Sequence, residues 1–210
     1  MKLSIIIPYR NREAHLKRFL NRIEKKVKTN FDVLVVEQNN KKLFNRGKLL
    51  NIGFNYKKES SDYFCFHDVD MIPKDVDYSY PNDSVVHLAT KASQFDYKMP
   101  YPAYCGGVIL FTKNDFLKIN GFSNDFWGWG LEDDDLYLRI KNSNLKLTNR
   151  QCVFKSLPHE KAYKKEHYDK NYEKIKVSYD YKKDGLLNAS YSLVKKEVLN
   201  NFAEKIKVDF

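Results

Sequence analysis

Residues 128–140, GWGLEDDDLYLRI, set one glutamate and three aspartates side by side, Glu132 to Asp135, at the head of an apolar-periodic run. The pattern places them in the first turn of a helix, where the helix dipole favours a negative charge by only about 0.3–1 kcal/mol. That is a poor return for four groups that repel one another. A carboxylate pair of which one member takes a proton explains the crowding better. A second acidic motif ends the apolar run of YFCFHDVDMIP with Asp68-Val69-Asp70. Alternate residues of an extended segment share a face, so both carboxylates can approach one hard cation, Mg2+ or Mn2+, that bridges a diphosphate. A turn closing a strand accounts for this pair equally well.

Other residues suit a nucleotide sugar. In PYRNR, Pro8 is followed by Arg10 and Arg12, which alternate where an apolar run opens into a helix start, a place suited to phosphate. Two surface arginines beside a helix would look the same. Phe44 and Arg46 in FNRGKLLN offer a ring for a base and a cation for a phosphate. Gly106-Gly107 mark a close backbone approach or a turn with positive φ. Trp127 and Trp129 alternate with Gly128 and Gly130, the composition of a hinged aromatic flap whose indole faces suit sugar rings. One of them could equally anchor a core. His159 is a ligand candidate only because the Asp-x-Asp needs partners, since a lone histidine is more often a surface one.

The elements that must position these residues follow from the apolar pattern. LSIIIP, FDVLVVEQ and SDYFCFHDVD read as strands. They are separated by a helix with Leu16, Phe19, Leu20 and Ile23 on one face, capped by Asn11, and by a weaker helical stretch, GKLLNIGFNYKK. This alternation predicts a parallel sheet with right-handed crossovers, whose carboxyl edge collects ligands. SVVHLAT, GGVILFT, QCVFKSL and EKIKVDF read as further strands, and KNDFLKING as a short helix closed by Gly121. The stretch 160–181 is polar, rich in Lys and Tyr and without clear periodicity, and fits a solvated helix or a mobile surface loop.

A chain of 210 residues, 42% hydrophobic and 15% aromatic, suits one domain with a buried core and excludes a disordered polymer. Without a linker or repeat it reads as a single domain, with a nucleotide-binding half over 1–75 and an acceptor and catalytic half over 76–210. The formal charge of +10 points to a polyanionic partner or to a solvated lysine-rich surface. Cys65, Cys105 and Cys152 form no CxxC, which argues against a zinc knuckle or disulfide framework and for a reducing compartment. The apolar stretch before Pro8 is too short for a signal peptide or membrane span, so the expectation is a soluble or peripheral intracellular protein.

Taken in order, IIIPYRNREAHLKRFL, FNRGKLLNIGF, DVDMIP, YCGGVILFTKNDFLKINGFSNDFWGWGLEDDDLYLRI, the His159 region and DGLLNASY resemble the β-1,4-galactosyltransferase family (glycosyltransferase family 7). The NGFSNDFWGWGLEDDD stretch is the most specific. The resemblance implies an α/β, GT-A (Rossmann-like) fold with a mostly parallel central sheet and additional mixed or antiparallel strands. It also implies a UDP-sugar donor, Mn2+ (or Mg2+) and inversion at the anomeric carbon. Position by position, it implies that Pro8, Arg10, Arg12, Phe44 and Arg46 contact uridine diphosphate, and that Asp70 and His159 hold the metal with Asp68 beside them. Asp133 becomes the catalytic base, Glu132 and Asp134 the acceptor- and donor-sugar contacts, Trp129 the flap indole and Gly107 a backbone contact to sugar. Tyr104 matches a position beside the C2 substituent of the donor, where a phenol implies galactose in preference to N-acetylgalactosamine. The stretch 160–181 matches a lid that closes over the donor.

Three departures qualify the match. Ser156 stands where many animal members carry a metal-side Met, Cys105 stands where an aromatic is usual, and the anchor helix and stem of Golgi members are missing from the sequence. The last implies a cytoplasmic enzyme of bacterial or viral origin, peripheral at the inner face of an anionic membrane. The expected function is transfer of galactose from UDP-galactose to a sugar hydroxyl of a glycan or glycolipid, in polysaccharide or lipooligosaccharide biosynthesis, with no nucleic-acid partner. The alternatives are a β-1,4-N-acetylgalactosaminyltransferase, a metal-dependent phosphohydrolase and a non-catalytic sugar- or nucleotide-binding module.

Overall fold

The computed structural model describes residues 1–82, 84–160, 163–176 and 181–210. The chain opens with β1 (Lys2–Tyr9), α1 (Glu13–Ile23), β2 (Asn30–Gln38), α2 (Arg46–Lys57) and β3 (Tyr63–His67). β1 pairs in parallel with β2 on one side and β3 on the other. Because alternate strand residues face opposite ways, β1 supplies two cores. Ile5 and Ile7 pack with Leu16, Phe19 and Ile23 of α1, while Ile6 packs with Leu34, Val36 and the Leu49, Leu50 and Ile52 of α2. Each such side chain taken from water is worth about 1.5–3 kcal/mol.

α2 has weak periodicity for a physical reason. It is buried on nearly all sides, Leu49 to Phe54 included. A Cβ on Gly53 would lie 2.3 Å from Ile6 Cγ2, and one on Gly47 would lie 2.6 Å from the Ser123 carbonyl oxygen. Helix α2 is thus clamped between the sheet and the second half of the chain, with its start capped by Asn45, whose side chain accepts from the Lys48 amide at 2.9 Å. The expected Asn11 cap of α1 is not formed. Asn11 has φ 52°, Arg12 occupies the cap position without a side-chain bond, and the Arg12 amide donates to the Tyr9 hydroxyl instead.

The remaining elements are β4 (Met71–Asp75), β5 (Val85–His87), β6 (Lys91–Ala92), β7 (Val108–Thr112), α3 (Lys113–Lys118), α4 (Glu132–Asn142), β8 (Leu147–Asn149), β9 (Val153–Ser156), α5 (Lys165–Lys176), β10 (Ser192–Val198) and β11 (Ala203–Asp209). The large sheet runs β10-β11-β2-β1-β3-β7-β5-β8, parallel through β11, β2, β1 and β3 and antiparallel at β7. This mixed α/β sheet is the GT-A arrangement. A small sheet, β4-β9-β6, pairs Met71 with Ser156, and the Leu157 amide donates to the Asp70 carbonyl at 2.9 Å. Those two contacts bring the segment that carries His159 beside Asp70.

The stretch 160–181 is helical over α5, which favours the helix of the two sequence expectations. Residues 161–162 and 177–180 of the proposed lid lie outside the described residues. Among the described residues no helix is long and apolar enough to cross a membrane.

Candidate active site

The carboxyl ends of β1 and β3 and the starts of α2 and α4 converge. The turn into α4 is built for the purpose: Gly128, Gly130 and Leu131 have φ of 81°, 100° and 76°. Glycine accepts this region freely, but a non-glycine residue there stores strain and occurs chiefly at functional sites. The turn leaves α4 without a side-chain N-cap, and its first turn is filled by the four acids.

The acids do not share one role. Asp135 points into the core, 2% exposed, and pairs with buried Arg139 at 2.7 Å. Arg139 also donates to the carbonyls of Gly121 and Asp184. This ion pair fixes α4 against the rest of the second half. Asp134 accepts from the Tyr101 hydroxyl at 3.1 Å. Glu132 and Asp133 turn toward α2, where Arg46 Nη1 lies 3.8 Å from Glu132 Oε1 and 2.9 Å from Asp133 Oδ1. The Arg46 Nε donates to Asp68 Oδ1 at 2.7 Å. The second oxygen of Asp133 lies over Gly106, where a Cβ would come within 2.3 Å of it.

Electrostatics separates the adjacent pair. Burial, followed by repulsion from Asp133, pushes Glu132 up to about 8. Burial also raises Asp133, but Arg46 opposes the shift by charge and by a hydrogen bond. Burial would lower the Arg46 guanidinium, and Asp68, Asp133 and Glu132 together reverse that, so it stays charged. Burial thus favours the protonated form of Glu132 near neutral pH, while the Arg46 contact favours the carboxylate at Asp133.

The metal candidates are brought together. His159 Nδ1 donates to the Glu160 carbonyl at 2.8 Å, and Nε2 faces Asp70 Oδ2 at 3.5 Å. A ligating histidine usually has this second-shell bond, and a ring nitrogen 3.5 Å from a carboxylate oxygen can share a cation or a proton with it. Burial and then Asp68 push Asp70 up to about 6, against the lowering effect of His159 and Arg12. The donor set fits a divalent cation. Among the described residues no three His, Cys, Asp or Glu side chains cluster as a complete shell, so diphosphate or water oxygens would complete it. Ser156 directs its hydroxyl to the Met71 sulfur at 3.5 Å.

The nucleotide candidates lie along the same edge. Pro8 sits near the carboxyl end of β1, paired with Val36. The Arg10 guanidinium is 5.4 Å from the centre of the Phe44 ring and donates to the Lys42 carbonyl at 2.7 Å. Arg12 is close enough to Asp70 to stabilise its carboxylate. Gly107, φ 79°, accepts from the Asp68 amide at 2.9 Å. Tyr104 lies over the glycine pair, held edge-on by His87, Phe95 and Tyr101 with ring centres 5.4–5.6 Å away.

The flap is tied at both ends. The Gly128 amide donates to the Phe44 carbonyl at 2.8 Å, and buried Asn171 of α5 donates to the carbonyls of Trp127 and Gly130 at 3.2 and 3.1 Å. Trp129 itself is 48% exposed, against Tyr163 and Tyr168. Sequence reasoning missed Tyr101, Asn171 and the carboxylate contacts of Arg46. The one signal available was an arginine at the head of a helix whose centre is rich in apolar residues, and its buried partner set explains that placement.

Comparison with known proteins agrees with this geometry. Residues 1–82 match the family described as the N-terminal region of glycosyl transferase group 7, and residues 86–167 the one described as the N-terminal domain of galactosyltransferase. Human β-1,4-galactosyltransferase 4 is 35% identical over 225 residues, covering 100% of this chain and 63% of its own. Mouse β-1,4-galactosyltransferase 1 is 35% identical over 203 residues, covering 92% and 51%. The chain thus spans less than two thirds of the length of these relatives. The solved catalytic domain of Drosophila β-1,4-galactosyltransferase 7 in complex with xylobiose superposes with a TM-score of 0.83 at 26% identity, covering 99% of this chain and 93% of that one. A mutant of the same enzyme in complex with manganese, UDP-Gal and xylobiose gives a TM-score of 0.81 at 27% identity and the same coverage.

Proposed function

This chain belongs to the β-1,4-galactosyltransferase family, and from that premise we propose that it is an inverting, metal-dependent transferase that moves galactose from UDP-galactose to a sugar hydroxyl in β-1,4 linkage. The observation that carries the reading is the unequal pair at the start of α4, with Asp133 Oδ1 2.9 Å from the Arg46 guanidinium and Glu132 Oε1 farther, at 3.8 Å. Asp133 accepts the proton of the acceptor hydroxyl as that oxygen attacks the anomeric carbon. Glu132 offers a hydrogen bond to the acceptor, and Asp134, oriented by Tyr101, contacts the donor sugar. Asp70 and His159 would hold the cation, which when bound offsets the charge growing on the departing diphosphate. Arg10, Arg12 and Phe44 hold the nucleotide, and Trp129 covers the sugars.

Tyr104 supports galactose over its N-acetylated counterpart, because its buried ring leaves little space beside the glycine pair. The relative solved with manganese, UDP-Gal and xylobiose supports the choice of metal, donor and a saccharide acceptor. A glycan or glycolipid acceptor and a cytoplasmic, membrane-peripheral location complete the proposal, the latter supported by the net charge of +10.

The test is a transfer assay with UDP-galactose and UDP-N-acetylgalactosamine, Mn2+ or chelator, and N-acetylglucosamine, glucose, xylose and xylobiose as acceptors. Galactose transfer that needs the metal is expected, with UDP-galactose preferred by about 10–200-fold. Asp133→Asn should lower kcat by about 10²–10⁴-fold. Preference for the N-acetylated donor would overturn the galactose assignment. Absence of transfer from either donor would overturn the enzyme.

A further inference from the structure

Arg46 sits at the head of α2, 9% exposed, and its guanidinium is shared among carboxylates from both halves of the chain. Nε meets Asp68 at 2.7 Å, Nη1 meets Asp133 at 2.9 Å, and Glu132 is farther, at 3.8 Å. The planar fork of arginine suits such bridging, which a lysine ammonium performs only as a point charge. Two neighbouring acids of similar chemistry thus lie at different distances from one buried cation.

We propose that Arg46 is the positioning residue that makes Asp133, and not Glu132, the base of the reaction, by holding one Asp133 oxygen and keeping that carboxylate ionised. This rests on the transferase reading above and gives Arg46 a role apart from contact with uridine diphosphate. The geometry constrains Asp133 from both sides. Oδ1 is fixed by Arg46, and Oδ2 is fixed over Gly106, where no side chain fits. The other groups facing Asp133 oppose ionisation or are neutral. They are Asp68 from the turn after β3, Glu132 and Asp134 from α4, and Tyr101, Tyr104 and Cys105 from the segment before β7. Every charged neighbour in that set except Arg46 is acidic, so the cation at 2.9 Å decides the outcome.

The test compares wild type with Arg46→Met, which keeps length and loses charge, and with Arg46→Lys, which keeps charge and loses the fork. At saturating donor and acceptor, kcat against pH has an acid limb that reports the base. In Arg46→Met this limb should move up by about 1–3 pH units, with a smaller shift in Arg46→Lys. In parallel, the side-chain carboxyl carbons of Asp and Glu, followed by NMR titration in the same variants, should show the Asp133 resonance titrating at higher pH. That readout needs no turnover, so it stands even if the transferase reading fails. Should the variants raise only the KM for the donor, with the acid limb and the Asp133 titration unmoved, Arg46 is a donor contact alone and the proposal falls.

Discussion

At Glu132 and Asp133, two similar side chains one peptide bond apart meet different surroundings, and the difference divides their labour. Glu132 is raised to about 8 by burial and then by Asp133, so it is protonated at neutral pH and able to donate a hydrogen bond. As pH rises through about 8 it ionises, its proton is lost and a second charge appears beside Asp133, the proposed base. Turnover should therefore fall on the alkaline side. Glu132→Gln, which keeps a donor that cannot titrate, should remove that limb while leaving the acid limb of Asp133 in place; an alkaline limb that survives the substitution belongs to another group. The cluster of acids was legible in GWGLEDDD as chemistry, since a dipole cannot account for four charges. Their division was not legible, because Asp135 is turned inward by Arg139 four residues later, and that turn depends on where α4 lands against Gly121 and Asp184.

Secondary structure was most legible where one face of an element is buried. β1 and α1 declared themselves through apolar periodicity, whereas α2 concealed itself because sheet and second half cover it on opposite sides. β10 went unread because its residues lie largely exposed at the sheet edge and lack an apolar face. α5 was ambiguous for a related reason: it docks through polar and aromatic side chains, not an apolar stripe. One attachment is buried Asn171, whose amide reaches two carbonyls that flank Trp129, while His167 and Tyr168 lie against Gly128 and Gly130. Removing that amide leaves two carbonyls short of a partner, at a cost of about 1–3 kcal/mol, concentrated in the α5 contact. Asn171→Ala should expose the lysines of α5 to faster cleavage by trypsin and shift the fluorescence of Trp129, with the global unfolding temperature little changed because the central sheet is untouched. Cleavage at the wild-type rate would mean that α5 is held by its aromatic contacts instead.

Across the whole molecule, the site is a seam. Asp68 and Asp70 come from the turn between β3 and β4 in the first half, Asp133 and His159 come from the second, and Arg46 is the cation that joins Asp68 to Asp133 across it. Acids crowded at one edge repel one another, and a cation and a diphosphate bound together would relieve that repulsion if, as proposed, the diphosphate engages the arginines of the first half. Binding to the folded state alone stabilises by about 2.7 kcal/mol when ligand exceeds Kd a hundredfold. For a chain of this size each kcal/mol moves Tm by about 2–4 °C. UDP with Mn2+ should therefore raise Tm by about 5–10 °C, UDP with excess chelator should leave it unchanged, and Asp70→Ala should abolish the metal-dependent rise while the variant still unfolds cooperatively. Equal stabilisation by UDP with and without chelator would show that the nucleotide binds through the arginines alone, and would remove Asp70 and His159 from the donor site.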